Sequence, residues 1–230
     1  QLADYSPTTV KDTIAVVQAV FSWAVRFELL SENPLVGYQK PQARSRNRSS
    51  TEEEFKALRA HSDERFRRVL WALRLTGCRP GEVRKLIWEW VDLDAGFWVI
   101  PVHKTITQQR HPKPRIIPLP SPILALCHLL GEEPHTGEEF VFTNAHGKPY
   151  TKDCFCRKMG RIRKRAGIEM KSDEQLVLYS ARHTFGTNAA GKVSDMELAE
   201  LMGHTDTRTT RRYVHLNAPR LQDIQRRIQN

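Results

Sequence analysis

Cysteine is scarce in this chain, and no apolar run is long. The four cysteines among 230 residues are too few and too scattered for a disulfide scaffold. Cys154 and Cys156 form a Cys-x-Cys pair, but no second Cys or His pair stands near them at zinc spacing. Both therefore read as reduced thiols, and no metal or other cofactor is expected. No stretch of about eighteen apolar residues occurs, which excludes a membrane-spanning helix. The start carries no secretory pattern, so a cytoplasmic protein is expected. It opens on Gln1 and not Met, and reads as a piece of something longer. Acidic residues are also in short supply: 26 Asp and Glu face 36 Lys and Arg, a net charge of +10. That balance suits a polyanionic partner, although a merely basic soluble protein would share it.

The 40% of hydrophobic residues suffice for a sizeable core. Residues 6–30 read as one helix, capped by Ser6 and started by Pro7, with Val10, Ile14, Val17, Phe21 and Ala24 on one face. Asn33-Pro34 ends that segment. Residues 43–50 are polar and basic without apolar period, and are expected to form a linker in which Arg44, Arg46 and Arg48 can touch phosphates. Thr51 and Glu54 make a capping box for a new helix. Phe66, Val69, Leu70 and Leu73 give helix over 64–76, Gly77 breaks it, and another helix is expected near Pro80.

Between 88 and 119 the pattern changes. Trp98-Val99-Ile100 and Arg115-Ile116-Ile117 are β-prone runs, expected to form a hairpin with a basic tip; residues 88–92 can add a third strand. Helices are expected again from 121 onward. In one of them Phe155, Met159, Ile162 and Ala166 form an apolar face. The other faces carry Arg157, Lys158, Arg161, Arg163, Lys164 and Arg165, six cations in nine residues. Such a run is often only a solvated face, but mutual repulsion at this density favours contact with an anion such as DNA.

Metal-free cleavage of a phosphodiester needs cations on the non-bridging oxygens, a nucleophile, and an acid for the leaving oxygen. The chain offers a candidate for each role. In Thr76-Gly77-Cys78-Arg79-Pro80-Gly81-Glu82, Arg79 would stand at a helix N-terminus, with Glu82 placed to orient it or a neighbour. Lys104, in His103-Lys104-Thr105, begins the hairpin tip and can donate a proton. Arg182, in Tyr179-Ser180-Ala181-Arg182-His183-Thr184-Phe185, is read as opening a helix; His183 beside it is read as structural. In Leu201-Met202-Gly203-His204, Gly203 ends a helix and turns His204 inward; Tyr213 follows nine residues later. Alone, Tyr213 would be a packing residue. With a phenol pKa of about 10 it becomes a plausible nucleophile only among cations.

The ordered set Arg79, Lys104, Arg182, His204 and Tyr213 resembles the tyrosine recombinase family, also called the phage integrase family. The boxes around Arg79, Arg182 and His204–Tyr213 look like its two arginine boxes and its final box; Lys104 matches the lysine of its β-hairpin. The resemblance covers residues 51–230. Residues 1–42 look like the C-terminal part of its helical core-binding, SAM-like domain. What it implies is a mainly α fold with a small antiparallel β-sheet, the family's catalytic-domain fold, preceded by part of that helical domain. It also implies a site-specific recombinase or integrase, of the kind found on mobile elements, working through a covalent 3′-phosphotyrosine on Tyr213. Arg79 and Arg182 would hold the phosphate oxygens, His204 would hydrogen-bond them, and Lys104 would be the general acid. Because the protein link conserves bond energy, neither ATP nor metal is needed. The expected partners are double-stranded DNA, a homotetramer assembled on it through a helix at residues 218–229, and a DNA-bending accessory protein. No membrane partner is expected, and on DNA the protein would be nucleoid-associated.

One position departs from the family. Tyr179 stands where its second arginine box has His, so Tyr179 is expected as a phosphate contact, not a base. Two alternatives share the features above: a type IB topoisomerase-like relaxing enzyme, and a DNA-binding protein impaired in catalysis. The ordered boxes and the helix before the linker argue against the first. Tyr179 alone favours the second.

Overall fold

The computed structural model describes residues 5–42, 48–101, 113–132, 140–168 and 175–204. The chain divides into two units, Gln1–Arg46 and Asn47–Asn230.

In the first unit, helix α1 spans Pro7–Arg26. It starts as expected: the Ser6 hydroxyl accepts the Thr9 N–H at 3.2 Å and Pro7 fills the first position. The helix stops four residues earlier than expected, because Glu28 turns to a φ of 57°. The following segment folds back on the helix. The Asn33 amide donates to the Gln18 carbonyl and the Ser22 hydroxyl, and the Gln18 amide donates to the Leu35 carbonyl.

The second unit is helical around a small sheet. Its order is α2 (Glu52–Ala60), α3 (Glu64–Thr76), α4 (Pro80–Lys85), a 3₁₀ turn (Trp88–Trp90), β1 (Val91–Asp92), β2 (Phe97–Ile100), β3 (Arg115–Pro118), α5 (Ser121–Glu132), α6 (Lys152–Arg165), α7 (Leu178–Ala189) and α8 (Asp195–Met202). The Thr51–Glu54 capping box is present at α2. All three strands are antiparallel in the order β1-β2-β3, with Val91 opposite Trp98 and Trp98 opposite Ile117. Alternation sends Trp98 and Ile100 inward from β2, and Arg115 and Ile117 inward from β3. An arginine therefore occupies a core-facing strand position.

Helix α3 is the spine of the core. Its Phe66, Val69, Leu70 and Leu73 are buried, and Phe66 meets Tyr150 and Phe155 edge-on, with ring centroids 5.9 and 5.7 Å apart. Phe155, Met159 and Ile162 supply the buried face of α6, as their spacing requires.

Residues 48–50, the described end of the expected linker, are held by side-chain contacts. The Ser50 N–H donates to the Thr184 hydroxyl at 2.9 Å, Ser49 and Thr187 hydroxyls pair at 3.1 Å, and Arg74 donates to the Ser50 hydroxyl. Arg48 pairs with Glu54 at 2.5 Å. These small polar side chains lack apolar period, yet their hydroxyls fasten the segment to α7. Among the described residues, no helix is long and apolar enough to cross a membrane.

Candidate active site

The site forms where four segments meet the C-terminal end of α8. Helix α3 ends at Gly77, whose φ of 64° is left-handed and whose missing side chain leaves room for the Phe185 ring. This sharp exit turns the Gly77 carbonyl toward α7 and places Arg79 at the start of α4. Helix α8 likewise ends in a left-handed glycine, Gly203, and His204 follows immediately, half-buried.

Three guanidiniums converge on the last carbonyls of α8. Arg115 donates to the Leu201 carbonyl at 3.0 Å, Arg182 to that of Met202, and Arg79 to that of Gly203 at 2.7 Å. A helix C-terminus leaves its final carbonyls without intrahelical partners and carries partial negative charge, so cations are favoured there. Arg182 also donates to the Gly77 carbonyl at 2.7 Å, which joins the two glycine-ended helices.

Glu82 is the carboxylate among these cations. One oxygen accepts from the Arg79 guanidinium at 2.9 Å; the other accepts from the Arg79 backbone N–H at 2.8 Å and from Arg115. Burial acts to raise the Glu82 carboxyl, but the Arg115 and Arg79 charges with the Arg79 hydrogen bonds outweigh it and hold it below the usual range. Three guanidiniums against one carboxylate leave a surplus of positive charge. Burial first, and then the Arg79 charge, lower the Arg182 guanidinium to about 10. Among the described residues, no hydrogen-bond partner reaches the buried Nε atoms of Arg115 and Arg182. Preorganised cations of this kind can stabilise an added anion.

Glu82→Gln should show how far the cluster depends on its carboxylate. Breaking one member of a buried ionic network costs about 3–5 kcal/mol. A lowered carboxyl stabilises the fold fully above its unfolded pKa near 4.5, and that contribution fades as pH falls through the folded value. Urea melts should therefore show the wild type more stable by this amount at neutral pH, with the gap closing in acid. A constant gap would contradict the assignment.

The sequence candidates fall into three groups. Arg79 and Arg182 meet at the end of α8, which His204 follows in the chain; α7 begins at Leu178, so Arg182 lies in its second turn and, contrary to expectation, does not open the helix. Its position is inside because Val177 and Leu178 enter the helix first, with Ser180 accepting the Val177 N–H at 3.1 Å. Tyr179 borders the site. It is 39% exposed, and its ring centre lies 6.0 Å from the Arg182 guanidinium carbon and 5.1 Å from the His183 ring. His183 is buried, in keeping with a structural place. Lys104, Tyr213, Arg44 and Arg46 lie outside the described residues, as does the segment 218–229.

On α6, Arg157, Arg161, Lys164 and Arg165 face outward. Lys158 does not. Its ammonium pairs with Asp63 at 2.5 Å and lies over the Phe66 and Tyr150 rings. Arg163 donates to the Leu176 carbonyl at 2.9 Å. Both cations stand nearest the apolar face, where packed elements offer acceptors.

Sequence reasoning missed Arg115. The available signal was its phase: Arg115 and Ile117 share one face of β3, and a cation on a core face needs partners. Cys78, beside Arg79, is no rival nucleophile, because burial pushes its thiol up to about 11. Among the described residues, no cluster of three His, Cys, Asp or Glu side chains could hold a metal.

The sequence profile of the phage integrase family matches residues 48–220. The tyrosine recombinase XerD of Listeria innocua serovar 6a is 29% identical over 234 residues, covering 95% of this chain and 75% of that protein. Solved structures are similar in fold. The crystal structure of XerA recombinase aligns with a TM-score of 0.57 at 24% identity, over 80% of this chain and 66% of that one. The integrase of the transposon Tn1549, in complex with circular intermediate DNA, aligns with a TM-score of 0.71 at 17% identity, over 96% and 79%.

Proposed function

The chain belongs to the phage integrase family, the tyrosine recombinases, and from this premise we propose a division of labour among its residues in site-specific DNA strand exchange. Tyr213 attacks the scissile phosphorus, giving up its phenol proton to solvent and forming a 3′-phosphotyrosine as the bond to the 5′ oxygen breaks. Lys104 gives that oxygen its proton. Arg79 and Arg182 hold the non-bridging oxygens, and His204 and Tyr179 add hydrogen bonds. The 5′-hydroxyl of a second strand then displaces the tyrosine and restores the backbone.

The observation that carries these roles is the surplus of guanidinium charge around Glu82 at the end of α8. Each guanidinium has five N–H donors. Among the described residues, two donors are used on Arg79 and two on Arg182, which leaves the others for a phosphate. The double-helical substrate would lie along the outward cations Arg157, Arg161, Lys164 and Arg165 of α6, with Arg44 and Arg46 as further phosphate contacts; Arg48 is left out, because Glu54 holds it. Lys158 is left out, because Asp63 holds it. The DNA in the related transposon integrase complex supports a DNA partner. A tetramer on two duplexes, helped by a DNA-bending protein, completes the proposal.

A two-site plasmid tests the reaction. Strand exchange requires paired sites and yields products with altered connectivity; relaxation of a one-site plasmid without recombinants would contradict it. Salt titration tests the surface. Each phosphate contact contributes about −0.9 to the slope of log K against log salt on duplex DNA. Replacing Arg157, Arg161, Lys164 and Arg165 with Gln should flatten that slope by about 3–4. An unchanged slope would remove α6 from the interface.

A further inference from the structure

We infer that Arg115 is a positioning residue for strand cleavage: it locks Glu82, and through Glu82 the phosphate-binding Arg79, to the end of α8 that presents His204. This inference rests on the proposed roles of Arg79 and His204.

Arg115 is 5% exposed and stands on the inward face of β3, in phase with Ile117. Its two terminal nitrogens reach different elements. One donates to the Glu82 oxygen that also accepts the Arg79 N–H, and the other to the Leu201 carbonyl. Gly203 lies against the same side chain: a Cβ there would stand 2.5 Å from the Arg115 Nε and 2.8 Å from its Cδ. The absence of a side chain at Gly203 thus lets the guanidinium pass beneath the turn into His204.

Without Arg115, Glu82 would keep only Arg79 and would be free to turn with it. The α8 end would lose the acceptor contact at Leu201 and the surface on which Gly203 rests. Arg115 also opens β3, the first described strand after Lys104 in the sequence. One buried side chain therefore ties together the strand after the proposed acid, the first arginine and the histidine turn. Lysine cannot replace it, because a single ammonium lacks the planar fork that spans Glu82 and Leu201 together.

The test is single-turnover cleavage by the full chain on a nicked suicide duplex, with Arg115→Lys compared with wild type. Two scissile groups are used: an ordinary phosphate, and a methylphosphonate in which methyl replaces one non-bridging oxygen. The methylphosphonate carries no charge for Arg79 to neutralise. Misplacement of a catalytic group by about 1 Å can cost 10²-fold in rate, so Arg115→Lys should lose about that factor on phosphate. On methylphosphonate its rate should match the wild type's. Equal slowing on both substrates would make Arg115 merely structural and overturn the inference, as would an undiminished rate on phosphate. If the wild type forms no adduct on either substrate, the proposed function itself falls and takes the inference with it.

Discussion

Tyr213→Phe should bind its DNA site as tightly as the wild type and yield no recombinants. The substitution keeps the ring and removes only the oxygen that forms the covalent link. Arg79 and Arg182 are anchored by Glu82, Gly77 and the end of α8, so phosphate binding does not need the Tyr213 hydroxyl. A gel-shift titration alongside a two-site recombination assay separates the two quantities. Weaker binding in proportion to lost recombination would make Tyr213 a packing residue. Residual recombination would place the nucleophile elsewhere.

Arg182→Met should keep the fold and lose most cleavage. Arg182 is fully buried, and its guanidinium is lowered to about 10 by burial and by the neighbouring Arg79. Holding that charge in a buried place carries a desolvation cost. Methionine removes the cost but leaves the Gly77 and Met202 carbonyls without Arg182, at about 1–3 kcal/mol each. These effects oppose one another, so thermal stability should change little. Cleavage has no such compensation: loss of one preorganised donor to a developing oxyanion costs about 10²–10³.

Much of this site was legible in the sequence because helix ends are written in local residues. Ser6-Pro7, Thr51 with Glu54, Gly77 and Gly203 each mark a terminus through backbone chemistry confined to a few positions. The same glycines fix where Arg79 and His204 emerge. Glu82 was legible as a partner for Arg79, being three residues away on the next helical turn.

Arg115 was hidden for the opposite reason. Its partners, Glu82 and Leu201, lie 33 and 86 residues away, and no local pattern records them. Position 115 looked like the polar start of a β-prone run, and only pairing with β2 shows which face it occupies. The contacts of the serines at 49 and 50 were hidden similarly. Polar composition suggests a linker, whereas their hydroxyls pair with Thr187 and Thr184 far along the chain. In the basic run on α6, Lys158 looked equivalent to its neighbours until packing placed Asp63 beside it. Charge density is a property of sequence, but which charges stay available is decided by tertiary contacts.

At the centre of this account, the guanidinium cluster at the end of α8 serves a phosphate that becomes linked to Tyr213. The most direct measurement incubates the wild-type chain with a duplex nicked beside its scissile position, so that cleavage releases a short strand and cannot reverse. Denaturation, nuclease and protease digestion, and mass spectrometry then locate the linkage. The predicted result is a nucleotide joined through its 3′ phosphate to the Tyr213 oxygen. A link to another residue, a link through a 5′ phosphate, or no covalent DNA at all would contradict it.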